Sequence, residues 1–290
     1  MNKREKILLT GGNSNIGKDI TKNLIKKYFI LSTYNKKKSK FKNRNYKQIQ
    51  YNFKKKIALD MNCDHIIHGA AVTPTNSKIN RNMYNLNVIG LKQILDSQVR
   101  LKSIILLSTM SVYGENKKKT IFLKSKKKKL NLYGKSKLKM EDMIKAYSKK
   151  NKINYLILRM PGVIGNFRST AIFMNNVFEK LYNNQKLIYY DKSNYTNNVI
   201  HTDTLSKIIN LFLFKKKFQN KTINLCSKKQ MKLVDIINLI RKEFDSKSEL
   251  MSLSKNLSFN ISTRSALVNK LPIIDTKKTI LKTIKYYKKI

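Results

Sequence analysis

The 290-residue sequence has no tryptophan, two cysteines, three prolines and nine glycines. Cys63 and Cys226 are too few for a disulfide framework or a cysteine-based zinc cluster, so no metal site is expected. A chain that needs neither bridges nor metal suits a reducing compartment, and a cytoplasmic protein is the expectation. No apolar run reaches the roughly 18 residues that a membrane span requires. The N-terminus is basic, but Ile7-Leu8-Leu9 meets Thr10-Gly11-Gly12 at once. That is too short for a signal-peptide core and fits a first strand better.

Acidic residues are the other shortage: 16 Asp and Glu stand against 62 Lys and Arg, a formal net charge of +46. Such a balance invites nucleic acid or an anionic membrane. The lysine runs, however, lie at 36–38, 54–56, 117–119, 126–129 and 215–217, from one end of the chain to the other. Only eight of the basic residues are arginine, and Lys, Asn and Ile are abundant together, as an AT-rich base composition produces. Dedicated nucleic-acid sites concentrate Arg and interleave aromatic rings, so no specific nucleic-acid partner is expected. The field is physical all the same and favours anionic substrates, more so at low salt.

Hydrophobic residues make up 41% and charged residues 27%, an ordinary globular composition. A chain of this length buries roughly three quarters of its unfolded surface. Strand-like blocks at 6–10, 28–34, 47–53, 64–68, 103–108 and 155–159 alternate with helical spacing over 16–27, 82–100 and 132–149. That alternation predicts an α/β fold with a doubly wound parallel sheet. Beyond it, 172–183, 204–214, 233–244 and 276–289 read as helices and 222–226 as a strand, with no linker between the halves. All nine glycines fall at or before residue 165. Glycine serves positive φ and close backbone approach, needs that gather at the strand ends carrying a cofactor.

Three motifs carry chemistry. Thr10-Gly11-Gly12-Asn13-Ser14-Asn15-Ile16-Gly17 follows a strand and opens a helix, so its N–H groups can face a pyrophosphate. Ser108-Thr109-Met110-Ser111-Val112-Tyr113-Gly114 ends an apolar strand. Tyr133-Gly134-Lys135-Ser136-Lys137 begins a helix, with Tyr133 and Lys137 on one face. A cation beside a phenol favours phenolate and lowers its pKa.

In this order the motifs resemble the extended branch of the short-chain dehydrogenase/reductase superfamily, the NAD-dependent epimerases and dehydratases of nucleotide-linked sugars. Asp64 to Ala71, Asn87-Val88-Ile89-Gly90, Leu158 to Gly165, Asn198 to Asp203 and Asn224 to Ser227 add ordered landmarks across nearly the whole chain. The resemblance implies a Rossmann-type NAD(P)-binding domain over 1–165. A smaller mixed α/β substrate lobe would span 166–290, with about 196–215 crossing back. It implies Tyr133 as acid/base, Lys137 lowering its pKa and holding the nicotinamide ribose, and Thr109 hydrogen-bonded to the reacting oxygen. Asn87 would support the active-site helix or relay a proton. The cofactor would be held by Gly11, Gly12, Asn13, Ser14, Asn15, Ile16 and Gly17, and by Asn35, Lys36, Asn52 and Phe53. Gly69, Ala70, Ala71, Pro161, Tyr133 and Lys137 would complete that set. A homodimer through the helices near 82–100 and 132–149 is also implied.

Three departures refine this. Ser14 replaces the middle glycine of the pattern, and its Cβ narrows the approach to the pyrophosphate. No Asp or Glu lies between Asp19 and Asp60, whereas NAD sites commonly use an acid on the ribose diol. Lys36–Lys38 there lean toward NADP over NAD. Met110-Ser111 stands where the dehydratases carry Asp-Glu, which favours an epimerase or 4-keto reductase. Two rivals stay open: a reductase of a small carbonyl substrate, and a non-catalytic cofactor-sensing or RNA-binding relative of the same fold.

Overall fold

The structure is a computed structural model. It describes residues 4–52, 62–74, 82–115, 120–170, 172–190, 193–214, 219–254, 259–264 and 266–290. Along the chain come β1 (Lys6–Thr10), α1 (Asn15–Leu24), β2 (Phe29–Tyr34), β3 (Tyr46–Gln50), β4 (His65–His68), α2 (Met83–Asp96) and β5 (Ser103–Thr109). A 3₁₀ turn (Met110–Tyr113) leads to β6 (Thr120–Ile121), α3 (Leu132–Asn151), β7 (Asn154–Met160) and β8 (Gly162–Ile164). Then follow α4 (Phe173–Tyr182), β9 (Leu187–Tyr190), β10 (Tyr195–Thr196), β11 (Val199–His201), α5 (Thr202–Phe214) and β12 (Lys221–Asn224). The last elements are β13 (Met231–Lys232), α6 (Leu233–Glu243), β14 (Leu250–Leu253), β15 (Asn260–Ile261), α7 (Ala266–Asn269) and α8 (Thr276–Tyr287).

Seven strands form one sheet in the order β12-β7-β5-β4-β1-β2-β3. The pairings of β1 with β2 and β4, of β2 with β3 and of β4 with β5 are all parallel. Parallel strands covered on both faces read as continuous apolar runs, and β1, β4 and β5 do so, while the edge strand β3 is half-exposed. The chain divides into two compact units. The first comprises Met1–Glu115, Lys126–Arg159 and Ser206–Ile223; the second comprises Asn116–Ser125, Met160–Leu205 and Asn224–Ile290.

In the first unit, Leu8, Leu31, Ile66, Ile104, Leu106 and Ile157 of the sheet pack on Leu91, Ile94 and Leu95 of α2 and on Met140 and Ile144 of α3. In the second, α4, α6 and α8 close around Phe178, Leu181, Ile236, Ile240 and Ile284. The parallel pair β9–β14, matching Leu187 with Leu250, has no counterpart in the sequence expectation. Its strands are four residues each, and only a partner distant in the chain makes either one a strand. No helix among the described residues is long and apolar enough to cross a membrane.

Phe178 is fully buried, and its ring stacks on Tyr287 with centroids 5.6 Å apart. Phe178→Ala is expected to destabilise the protein by about 3–5 kcal/mol, read as a lower urea midpoint at unchanged slope.

Candidate active site

The chain leaves β1 through Thr10-Gly11-Gly12-Asn13-Ser14 where the strand order reverses, with β2 on one side of β1 and β4 on the other. Open α/β sheets take ligands in the crevice at such a switch point. Gly11 adopts φ +71°, which an L side chain rarely does. Ser14, expected to intrude on the turn, is the N-cap of α1. Its Oγ donates to the Gly11 carbonyl at 2.7 Å and accepts from the Gly17 N–H at 3.0 Å.

A cavity of about 810 Å³ opens here. Gly11, Asn13, Ser14, Asn35, Lys36, Asn52, Gly69, Ala70 and Ala71 line it, together with Thr33, Tyr34, Gln50, Tyr51, Val72, Asn82 and Leu86. Gly12, Asn15, Ile16 and Gly17 belong to the same turn and helix start without lining it. Phe53 lies outside the described residues, and Pro161 belongs to the second unit. The fit to a dinucleotide rests on this wall. Asn13 gives its Nδ2 hydrogen to the Lys37 carbonyl, which leaves Oδ1 buried without a partner. The start of α1 presents N–H groups suited to phosphate. Of Lys36–Lys38, only Lys36 lines the cavity.

Two walls of the cavity are cross-linked below it. Thr10 Oγ1 accepts from the N–H groups of Gly69 and Ala70, each at 3.1 Å, and meets His68 Nδ1 at 2.9 Å. Burial keeps that imidazole neutral, with a pKa of about 3. Asn87 is fully buried. Its Oδ1 accepts from the Val72 N–H at 2.7 Å, and its Nδ2 donates to the Val72 carbonyl at 3.2 Å and to Ser136 Oγ at 3.0 Å. It thereby ties the 69–72 loop to α3.

Tyr133 and Lys137 stand in the first turns of α3, which Asn131 caps by accepting from the Gly134 N–H at 2.8 Å. A Cβ on Gly134 would overlap the Ser111 carbonyl, so glycine there lets the helix approach the 3₁₀ turn after β5. Lys137 is fully buried and donates to the Leu107 carbonyl at 2.9 Å; its Nζ is 5.9 Å from the Tyr133 ring centre. Burial holds the ammonium down to about 8, with Glu141 acting the other way. Burial likewise pushes the Tyr133 phenol up to about 12. That direction is set by desolvation and runs opposite to the lowering by Lys137 that the resemblance implies. Thr109 Oγ1 donates to Ser111 Oγ and accepts from the Ser111 N–H, both at 3.2 Å.

Sequence reasoning missed Glu141 and its pairing with Arg159 beneath this site. An acid four residues beyond Lys137 and an arginine within a strand were the available signals. Arg168 pairs in the second unit with Glu179 through Nε at 2.9 Å and lies over Tyr182. Asn87→Ala would leave the Val72 amide group and Ser136 without their partner. A stability loss of about 1–3 kcal/mol is expected, measured by chemical denaturation.

Comparisons with known proteins agree with this architecture. A protein of Methanocaldococcus jannaschii, provisionally named a UDP-glucose 4-epimerase, is 26% identical over 265 residues, 84% of each chain. The UDP-glucuronic acid 4-epimerase of Bacillus cereus, solved with NAD, superposes with a TM-score of 0.81 at 20% identity, covering 98% of this chain and 97% of that one. The dTDP-glucose 4,6-dehydratase of Bacillus anthracis str. Ames, also solved with NAD, gives 0.80 at 18% identity over 98% and 97%. The NAD dependent epimerase/dehydratase family model matches residues 7–226, more than half of the sequence, and the chain belongs to that family.

Proposed function

We propose that the chain binds NAD in the cavity beside β1 and interconverts a hydroxyl and a carbonyl on a nucleotide-linked sugar, as an epimerase or keto-reductase. The observation that carries this reading is Tyr133 beside the buried Lys137 on one face of α3, in the same unit as the 810 Å³ cavity. Bound dinucleotide supplies a hydride acceptor and donor at the reacting carbon. Tyr133 gives a proton to the reacting oxygen or takes one from it; its high pKa keeps it protonated at neutral pH, ready to act as the acid. When it acts as the base, Lys137 is the adjacent cation that favours phenolate. Thr109 donates a hydrogen bond to the same oxygen, exchanging its contact with Ser111 for one to substrate.

An epimerase or reductase is favoured over a dehydratase by the end of β5. Met110 is buried and the Ser111 hydroxyl is engaged by Thr109, so no carboxylate is offered there for elimination. NAD is favoured over NADP because Lys37 and Lys38 do not line the cavity, and because the cofactor named with the two superposed structures is NAD. Pairing with a second copy through the outer faces of α2 and α3, where Ile89 and Leu132 are exposed, belongs to the same reading.

Tyr133→Phe is expected to lower turnover of a UDP-sugar by roughly 10²–10⁴ while NAD affinity stays within about threefold. Full turnover in that variant rejects the assignment. The +46 charge predicts that kcat/KM for these dianionic substrates falls as salt rises while kcat holds, measured by steady-state kinetics at increasing KCl.

A further inference from the structure

The buried face of α3 runs on from Tyr133 and Lys137 to Glu141, one further turn along. Glu141 is completely buried, and both of its oxygens are taken. Oε1 accepts from Ser108 Oγ at 2.6 Å and from Arg159 Nε at 3.0 Å, while Oε2 accepts from Arg159 Nη2 at 2.7 Å. Arg159 Nη1 donates to the Tyr113 hydroxyl at 2.7 Å, and the guanidinium lies 5.1 Å from the centre of that ring. One carboxylate is thus joined to β5, to β7 and, through Arg159, to the 3₁₀ turn, while its own helix carries Tyr133 and Lys137.

Several groups surround Lys137. The Leu107 carbonyl accepts its hydrogen bond. His68 on β4 is neutral, and Tyr133 on α3 is neutral as well. Arg159 reaches in from β7 with its charge committed to Glu141. Among the described residues, Glu141 is the group that brings negative charge to Lys137.

We propose that Glu141 is a positioning residue for the reaction: its carboxylate, fixed by Ser108 and Arg159, is the counter-charge that keeps the buried Lys137 an ammonium able to act on Tyr133. The inference rests on the Tyr133–Lys137 reading of the preceding section. An ammonium taken fully out of water loses its proton readily unless an anion is near. Already at about 8 with Glu141 present, Lys137 falls lower when that charge is removed. The alkaline limb of kcat, where Lys137 deprotonates, then moves to lower pH.

The test is the pH profile of kcat in Glu141→Gln and in the double variant Glu141→Gln/Arg159→Gln. The single variant leaves Arg159 unpaired and is the one at risk of unfolding; the double variant removes that stranded guanidinium and leaves only Lys137 without its counter-charge, and where the single does not fold the double decides. The expected result is an alkaline limb displaced to lower pH by about one unit or more, with turnover at pH 6.5 reduced far less than at pH 8.5. Glu141→Asp, which keeps the charge, is expected to restore the limb toward its original position. A merely structural Glu141 would lower turnover equally at every pH, so an unshifted limb in the folded double variant overturns the proposal. Tyr133→Phe separates the two failures. If that variant is inactive while the limb is unshifted, only the role of Glu141 falls. If it is fully active, the underlying assignment falls.

Discussion

The buried pair between Glu141 and Arg159 is the constraint on which the rest of the first unit turns. Taking a carboxylate and a guanidinium out of water is costly, and breaking such a pair by removing one partner costs roughly 3–5 kcal/mol. Apolar residues of equal volume would fold as well or better, so what the pair contributes is geometry. A guanidinium has a fixed fork of donors, and Arg159 aims it at both oxygens of Glu141 and at the Tyr113 hydroxyl. An aliphatic contact could slide by an ångström along β5; these hydrogen bonds cannot. The helix that presents Tyr133 and Lys137 is therefore fixed against the strand that ends at Thr109.

The cavity beside β1 is fixed in a similar way. Its walls belong to different loops, one after β1 and one after β4, and loops by themselves are the mobile part of a fold. Here the β1 loop begins at Thr10, whose hydroxyl holds two N–H groups of the β4 loop and the His68 ring together. Asn87 then attaches Val72 of that loop to α2 and, through Ser136, to α3. The cavity and α3 share this small set of buried polar side chains, each with its lone pairs or hydrogens largely taken. Buried polar groups in that condition rigidify rather than weaken a core.

What could be read from the sequence was what is local. The strand at 6–10, the glycine turn and the helix after it carry period and turn chemistry within a dozen residues. The four-residue spacing of Tyr133 and Lys137 needs only the helix to place both on one face. Contacts that join distant segments were not legible. Glu141 and Arg159 meet because α3 folds back onto β7, and β9 becomes a strand only beside β14. Ser14, read against a glycine pattern as narrowing the approach to the pyrophosphate, also has a role at the helix start that the pattern does not carry: its hydroxyl accepts from the N–H of Gly17.

Composition holds a signal that motif reading passes over. With 62 basic residues of which only eight are arginine, lysine is this chain's default cation, and two of the arginines stand where a point charge would not serve. These are Arg159 and Arg168. Each engages a glutamate through two nitrogens, and each lies over a tyrosine ring, at 5.1 Å from Tyr113 and 5.0 Å from Tyr182. An ammonium can neither bridge both carboxylate oxygens in a plane nor stack flat on a ring. The surplus of lysine sets the field around the protein and carries little positional information. Arg159 is the buried one of the two, and it marks where the interior of the first unit is held by directed charge, close to the residues proposed to do the chemistry.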